Sequence, residues 1–568
     1  MFRLYIFVAA LVASTTSASV ERTGKHWYKN SLIYQVYLRS FKDSDGDGIG
    51  DLNGVTSKLE HIADIGADAL WLSPIYTSPQ SDFGYDIANY IDVDKDYGTL
   101  ADFDKLVAKA KSLGLKVILD FVPNHSSHEH EWFVKSAQRI KPYDEYYIWR
   151  DALVANGTRK PPNNWLSAIG GSAWEWSATR KQYYLHQFSC AQADLNYSSV
   201  TLQREMKNVL NFWLDRGVDG FRIDAISHLF EDARYLDEPR NDAPGIPDDD
   251  YETLDHIYTR NLPGVYEILK SWRELVDKHS KTTGRKIILT EADTDFPLYY
   301  KSGSNVPFNF MFILDLNDMS SAADFKRLVD RWMNNMPNDP AYVANWVVGN
   351  HNNHRAATRF GEKRADQLNM LATVLPGVSV IYNGDEIGML DRNFTYDETK
   401  DPAGRNAGPD RYRLKSRDPE RTPFQWKNRT SAGFSTTDTT WLPVNSNYET
   451  LNLAAQKAAT VSHYNVFKSL SRLKRKPVVE RGSLQTVLVT EEILGVVRRH
   501  GASVVALMVN FANTPVTVDA RTWMNIPEQL IVYAPSVHSE MLAGSRVDTT
   551  CIAMPGSASV VLTTADLV

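Results

Sequence analysis

One arginine and two acids stand out by their types and their spacing. Arg222 and Asp224 lie two residues apart in the segment GFRIDA (220–225), so on a β-strand they would share one face. A guanidinium beside a carboxylate favours its ionised form, as a nucleophile requires. Glu291 has no such partner in its own segment and could keep a proton for use as an acid. This combination is the chemistry of retaining glycoside hydrolysis, although a structural Arg–Asp ion pair alone would show the same spacing.

Further polar residues follow other apolar segments of the chain. DFVPNH spans residues 120–125, TEAD spans 290–293 and GNHNN spans 349–353. In a parallel barrel the carboxyl ends of all strands open on one face, so these groups would converge on one pocket. Four such segments together favour a catalytic site over an isolated ion pair.

Eight apolar runs, each followed by an amphipathic stretch, predict the strands that would hold these residues. Repeated strand–helix units of this kind are typical of an α/β fold closed into a (β/α)8 TIM barrel. The predicted strands are Leu32–Val36, Ala69–Leu72, Val117–Phe121, Gly220–Ile223, Ile287–Thr290, Phe308–Ile313, Trp346–Val348 and Val378–Tyr382.

Two stretches interrupt this pattern. Residues 125–197 are rich in Trp, Tyr, Pro and Gly with little helical periodicity, which predicts a subdomain inserted after the third strand. Residues 476–568 contain alternating β-branched runs, which predict a C-terminal antiparallel β-sandwich domain. The barrel would then comprise residues 19–124 and 198–475.

Composition excludes several classes of protein. A chain of 568 residues can bury a large core without cross-links. It has two cysteines, Cys190 and Cys551, which excludes a disulfide scaffold or a cysteine-based zinc cluster and leaves their pairing open. A net charge of −7 argues against nucleic acid as a partner, since phosphate binding needs basic patches. We expect a small-molecule partner; the oligomeric state is left undetermined.

The N-terminus has the pattern of a secretory signal. A basic residue, a nine-residue apolar run and small residues up to Ala18 predict a signal peptide over residues 1–18. Nine apolar residues are too few to span a bilayer, so no membrane anchor is expected. A secreted, extracellular protein would also be glycosylated at Asn-x-Ser/Thr sites. Four such sites are Asn156, Asn196, Asn393 and Asn428.

Taken together, the motifs resemble the conserved segments of the α-amylase family, glycoside hydrolase family 13. The segments QADLN (192–196), SRD (416–418) and RTPFQW (421–426) are similar to those of its oligo-1,6-glucosidase-like branch, which contains the insect maltases and α-glucosidases. The likeness extends from about residue 27 into the C-terminal β domain. It therefore implies a hydrolase without an organic cofactor.

The resemblance implies a role for each matching residue. Asp224 would attack the anomeric carbon, Glu291 would protonate the leaving oxygen and then activate water, and Arg222 would orient Asp224. The implied glucose-binding residues are His125, His351, Tyr85 and Phe188, with Asp82 and Arg417 closing the pocket. A closed pocket makes the activity exo-acting. Ala225 matches members that prefer α-1,4 bonds, which implies maltose, maltooligosaccharides and also sucrose as candidate substrates.

The chain departs from the family at a third catalytic position, where Asn352 replaces the usual aspartate. An amide is nearly isosteric with a carboxylate but carries no charge. Losing one preorganised electrostatic group typically costs about 10²–10³ in rate. Three interpretations remain: an active enzyme with an unusual site, a weak or silent hydrolase that serves as a sugar-binding or receptor protein, and a variant residue.

An acidic, glycine-rich loop follows the first predicted strand. Its sequence, DSDGDGIGD (43–51), places carboxylates at alternate positions, and hard oxygen ligands of that density suit Ca²⁺. A solvated acidic turn would have the same composition. The loop also resembles the calcium loop of this glycosidase branch. The implied ligands of a structural Ca²⁺ are Asp43, Asp45, Asp47, the Ile49 carbonyl and Asp51.

Overall fold

The structure is a computed structural model that describes residues 26–241, 245–292 and 294–568. The predicted signal peptide, residues 1–18, lies outside the described residues. No helix within the described part of the chain is both long and apolar enough to cross a membrane.

Eight parallel strands form a nearly closed barrel, in the order β6-β5-β4-β3-β2-β1-β8-β7. Their bounds are β1 Leu32–Val36, β2 Ala69–Leu72, β3 Lys116–Phe121, β4 Gly220–Ile223, β5 Ile287–Thr290, β6 Val306–Pro307, β7 Asn345–Val347 and β8 Val378–Tyr382. The side chain of Asn345 bridges the remaining gap between β6 and β7: its Nδ2 donates to the Pro307 carbonyl at 2.6 Å and its Oδ1 accepts from the Asn309 N–H at 2.8 Å. The predicted TIM-barrel architecture is confirmed.

A helix follows each barrel strand; most of these helices bury one apolar face, whereas the helix after β7 is buried at every residue. Thr99 and Asp102 form a reciprocal capping box at the start of the second helix, which fixes its first turn. The helices are α1 Leu52–Asp64, α2 Leu100–Ser112, α3 Val200–Asp215, α4 Pro263–Thr283, α5 Phe296–Lys301, α6 Ala322–Asn335, α7 Ala365–Val374 and α8 His463–Lys474. Shorter elements of the loops are the strands Tyr76–Thr77 and Asn89–Val93 and the helices Met311–Leu314, Ala356–Phe360, Pro402–Ala407, Tyr412–Lys415, Leu453–Ala458 and Pro477–Arg481.

The sixth strand lies earlier than predicted. Residues 308–313 were predicted as a strand, but the ladder ends at Phe308, whose N–H donates to the Thr290 carbonyl at 2.8 Å. Asn309 Oδ1 then accepts from the Met311 N–H at 3.1 Å, which starts the helical turn Met311–Leu314. A local Asx turn at Asn309 therefore turns the chain away from the sheet, within an apolar run whose pattern fits a strand and a helix equally well.

The stretch between β3 and α3 contains small antiparallel sheets packed on aromatic residues. Gln192–Asp194 pairs with His125–Ser127, so the two ends of this stretch meet at the carboxyl end of β3. Its remaining elements are the strands Trp149–Arg150, Leu153–Ala155, Thr158–Lys160, Trp174–Ser177 and Gln182–Leu185 and the helix Glu131–Ala137.

The C-terminal part is antiparallel, as predicted. Its strands are β9 Ser483–Leu488, β10 Ile493–His500, β11 Ser503–Asn510, β12 Val516–Val518, β13 Gln529–Pro535, β14 Arg546–Asp548, β15 Ile552–Met554 and β16 Ser559–Thr563, with a helical turn at Arg521–Met524. Six strands form one sheet in the order β9-β10-β11-β16-β13-β14, and β12 pairs with β15 in a second. Val497, Ile552 and Met554 share one buried apolar cluster between the two sheets.

Candidate active site

The guanidinium of Arg222 lies at the centre of the candidate site. Its Nη1 donates to Asp224 Oδ1 at 2.7 Å and to Asp120 Oδ1 at 2.8 Å, and its Nη2 contacts Glu291 Oε1. Asp224 and Glu291 thus meet the two terminal nitrogens of one guanidinium. Their separation falls within the range, up to about 9.5 Å, that catalytic carboxyl pairs span. The segment around Glu291 contains no cationic partner for it. The structure provides one, because Arg222 reaches Glu291 from β4.

The backbone after β4 positions both acids. The Asp224 N–H donates to the Phe121 carbonyl at 2.9 Å, which extends the ladder with β3 by one residue. Ala225 then adopts a left-handed conformation (φ 46°, ψ 30°), which is rare for an L-residue with a side chain. In this conformation its N–H donates to Glu291 Oε2 at 3.3 Å. Such strain clusters at functional sites, where the surrounding structure maintains it.

Burial raises the pKa of each acid around Arg222. Burial raises the pKa of both Asp224 and Glu291 above their usual values, and Arg222 opposes the rise in each case. The negative charge of Asp224 raises the pKa of Glu291 further. Burial also raises the pKa of Asp120 to about 7, against the opposing effect of Arg222. These carboxyl groups share one guanidinium and therefore influence one another's titration.

A buried hydrogen-bonded chain supports one wall of the site. Gln35 Nε2 donates to His351 Nδ1 at 2.7 Å, which places the proton of the neutral imidazole on Nε2. His351 Nε2 lies 2.6 Å from the Tyr85 hydroxyl, which in turn donates to Asp120 Oδ2 at 2.8 Å. The Tyr85 and His351 rings are stacked at 5.3 Å. Burial lowers the pKa of His351 well below its usual value, so the ring stays neutral.

His125 and Phe188 lie where the insertion meets the barrel. Their rings are 5.2 Å apart, and burial lowers the pKa of His125 to about 4. Gln192 Nε2 lies 3.1 Å from His125 Nε2 and donates to Asp82 Oδ2 at 3.2 Å. Gln192 belongs to the QADLN motif, but sequence reasoning assigned it no role in the site.

Asp82 and Arg417 come together at one end of the site. Arg417 Nη2 donates to Asp82 Oδ1 at 2.7 Å and also contacts Asp401. Arg417 Nε donates to Asp401 Oδ1 at 3.0 Å and its backbone N–H to Asp401 Oδ2 at 2.8 Å. Burial alone would raise the pKa of Asp401, but Arg417 overrides it and holds that pKa below the usual value. Asp401 was missed from the sequence, where no local pattern links it to Arg417.

Asn352 meets a second buried arginine. Arg421 Nη2 donates to Asn352 Oδ1 at 2.9 Å, and Arg421 Nε donates to the His351 carbonyl at 2.7 Å. The remaining nitrogen, Nη1, is buried and has no hydrogen-bond partner among the described residues. The motif RTPFQW contains Arg421, but its contact with Asn352 was not predicted.

The acidic loop after β1 gathers part of its predicted ligand set. Ligand oxygens of Asp43, Asp45 and Asp47 all lie within 4.8 Å of one another. The Asp51 carboxylate accepts from the N–H groups of Ser44 at 2.6 Å and Gly54 at 2.8 Å, the second of which caps α1. Three converging carboxylates fit a hard divalent cation.

Three of the predicted glycosylation sites are solvent-exposed: Asn156, Asn393 and Asn428. Asn196 is half-buried, and its Nδ2 donates to the Glu145 carbonyl at 3.0 Å.

The chain is similar to known proteins along most of its length. Residues 35–482 match the α-amylase catalytic domain. The chain is 46% identical to maltase 1 of Drosophila virilis (92% of this chain, 84% of that protein). It is 44% identical both to an α-glucosidase of Apis mellifera (94% of each chain) and to a salivary α-glucosidase of Anopheles gambiae (94% and 93%).

Solved structures give the same result. The α-glucosyl transfer enzyme XgtA is 33% identical, with a TM-score of 0.81 over 95% of this chain and 99% of that one. The trehalulose synthase MutB of Pseudomonas mesoacidophila MX-45 is 30% identical, with a TM-score of 0.81 over 95% and 100%. Because the catalytic-domain match covers most of the sequence and the relatives align along nearly all of it, the chain belongs to the α-amylase family of glycoside hydrolases.

Proposed function

We propose that the protein is a retaining, exo-acting α-glucosidase that releases terminal glucose from maltose and short α-1,4-linked oligosaccharides. The observation that carries this proposal is the placement of Asp224 and Glu291 on the two terminal nitrogens of Arg222. Relatives named maltase and α-glucosidase support the same substrate class.

In the proposed reaction, Asp224 attacks the anomeric carbon while Glu291 protonates the leaving glycosidic oxygen. The product of this step is a covalent glucosyl-enzyme. Glu291, now ionised, takes a proton from water, and that water displaces Asp224 to release glucose with retained configuration. The raised pKa of Glu291 suits the first proton transfer. Arg222 orients both carboxylates throughout.

The exo preference rests on the salt bridge between Arg417 and Asp82. Both charges of this pair influence the pKa of Asp224, and we take the pair to close the pocket on the non-reducing side of the bound glucose. A polysaccharide chain could not continue past it without breaking a buried ion pair. We therefore expect short substrates to react faster than starch, with sucrose as an additional candidate.

Hydrolysis of an aryl α-glucoside tests this function. The natural protein is expected to release p-nitrophenol, whereas Asp224→Asn and Glu291→Gln should lose at least about 10²-fold in kcat/KM. Asp215→Asn, an exposed acid at the end of α3, is the matched control and should retain full activity. A mechanism-based fluoroglucoside loses its leaving group and should add the mass of one fluoroglucosyl group to the natural protein and none to Asp224→Asn.

The second candidate function is sugar binding without turnover, which Asn352 favours. Calorimetric titration with maltose separates the two. Saturable binding in a protein that releases no p-nitrophenol and traps no glucosyl group would select the binding protein.

Secretion and calcium binding belong to the proposal as well. The salivary relative supports secretion.

The convergent carboxylates of Asp43, Asp45 and Asp47 support a structural Ca²⁺ held with the Ile49 carbonyl and Asp51. Chelation should lower the melting temperature by a few degrees, because a ligand that binds only the folded state stabilises it. Asp45→Asn should remove this response to chelator; an unchanged response would show that the loop is not the site.

A further inference from the structure

Three titratable side chains outside the catalytic centre converge from three separate segments. His354 follows β7, Asp391 follows β8, and Glu420 lies in the long connection to α8. His354 Nδ1 lies 2.7 Å from Asp391 Oδ2 and 3.7 Å from Glu420 Oε2, and the three ligand atoms all lie within 4.8 Å of one another. Ligands about 2.0–2.2 Å from a tetrahedral Zn²⁺ lie about 3.3–3.6 Å apart, which is close to the separation of Glu420 Oε2 from His354 Nδ1. Asp391 Oδ2 and His354 Nδ1 share a hydrogen bond, whose proton an incoming ion would displace.

Glu420 supplies an independent indication of a ligand. The residue is 1% exposed, and its Oε2 is a buried acceptor with no hydrogen-bond partner among the described residues. Glu420 forms an ion pair with His354. The next residue, Arg421, donates to Asn352 and to the His351 carbonyl instead. A buried acceptor without a partner is costly, and a cation between Glu420 and His354 would satisfy it.

Hydrogen bonds hold the other two ligands in place, and one of them is accessible to an ion from solvent. Asp391 Oδ1 accepts from the Arg355 N–H at 2.9 Å, which leaves Oδ2 facing His354. The His354 carbonyl accepts from Arg359 Nε at 2.8 Å. The His354 side chain is 48% exposed, so an ion could reach the cluster from solvent. Contacts of this kind fix ligand orientation before a metal binds.

We propose that His354, Asp391 and Glu420 form a binding site for a divalent transition metal such as Zn²⁺. One imidazole nitrogen with two carboxylates suits Zn²⁺ better than Ca²⁺, which takes oxygen ligands. The acidic loop at residues 43–51 offers only oxygen, so the two sites differ in chemistry. The bound ion would join the segments after β7 and β8 to the segment that contains Arg421, the residue that donates to Asn352.

Calorimetric titration of the untagged protein with Zn²⁺, in excess Ca²⁺ to saturate the acidic loop, tests the proposal. We expect one saturable site per chain in the natural protein. His354→Gln should weaken binding by at least about tenfold. His279→Gln is the matched control, since His279 also lies beside an acid, Asp215 at 3.7 Å, and should bind as the natural protein does.

Two further measurements test whether His354 itself binds the metal. Co²⁺ in place of Zn²⁺ should give a visible ligand-field spectrum in the natural protein and in His279→Gln, but not in His354→Gln. Zn²⁺ should raise the melting temperature of the natural protein and not that of His354→Gln. Because the side chain at residue 354 is half-exposed, we expect the variant to fold, so a lost response to Zn²⁺ reports loss of the site. Absence of saturable Zn²⁺ binding in excess Ca²⁺, or equal binding by His354→Gln, overturns the proposal.

Discussion

Two arginines of the candidate site, four residues apart, have different hydrogen-bond partners. Arg417 donates to the carboxylates of Asp82 and Asp401. Arg421 donates to an amide oxygen and a carbonyl, and its Nη1 is buried without a partner. The Arg417 end is therefore charge-balanced, whereas the Arg421 end carries a buried positive charge with no carboxylate in contact.

This difference shows that residue 352 can keep its position in the site although it carries no charge. Asn352 holds its position through the same kind of hydrogen bond that a carboxylate would accept from Arg421. Its amide can therefore still position a sugar hydroxyl, but it offers no negative charge to a cationic transition state. We infer that the Arg417 end retains its full contribution to binding, while the Arg421 end contributes less to catalysis than a charged pair would.

Removing the balanced arginine should have the largest effect. Arg417→Met leaves the Asp82 and Asp401 carboxylates buried and unpaired, so we expect a loss of about 3–5 kcal/mol in the free energy of unfolding. Denaturant unfolding measures it. The exposed Arg413→Met, on a neighbouring turn, is the control and should change stability by less than about 0.5 kcal/mol. Equal small losses in both variants would contradict the comparison.

Restoring the charge at the other end should have the next largest effect. Asn352→Asp pairs Arg421 with a carboxylate and is expected to raise kcat on maltose by about 10²–10³, and by at least tenfold. Asn353→Asp places the same charge one residue further on and should give no comparable gain. An unchanged or lower kcat in Asn352→Asp would show that this end does not limit the reaction.

The coupling between residues 352 and 421 should be smaller but measurable. In the natural background Arg421→Met removes two hydrogen bonds together with an unbalanced buried charge, so it should cost less stability than Arg417→Met. In the Asn352→Asp background the same change leaves a carboxylate unpaired. A double-mutant cycle should therefore give a coupling energy of about 1–3 kcal/mol. A coupling energy near zero would mean that Arg421 does not interact with the introduced charge.

Much of the barrel could be predicted because its strands are buried, continuous apolar runs. The bounds of β1, β2, β4, β5 and β8 agree with the prediction to the residue. The prediction of β6 was wrong because an apolar run does not distinguish strand from helix, and the Asx turn at Asn309 ends the strand.

The candidate site was predictable from motifs but its interactions were not. The structure brings Arg222, Asp224 and Glu291 together, as the strand-end argument required. The contacts of Gln35 with His351 and of Arg421 with Asn352 join residues 316 and 69 positions apart, for which no local pattern exists. Such pairs are set by which loops meet at the barrel mouth.

The smallest expected effect is a shift in the pH profile caused by Asn352→Asp. In the proposed reaction Glu291 must be protonated to act as the acid, so kcat/KM should fall as the pH rises through its pKa. Burial and the charge of Asp224 already raise that pKa. A further negative charge in the site raises it again, so the basic limb should move to higher pH by up to about one unit. Rate profiles of the natural protein, Asn352→Asp and Asn353→Asp measure the shift, and a basic limb that moves down or stays in place would mean that the charge at residue 352 does not reach Glu291.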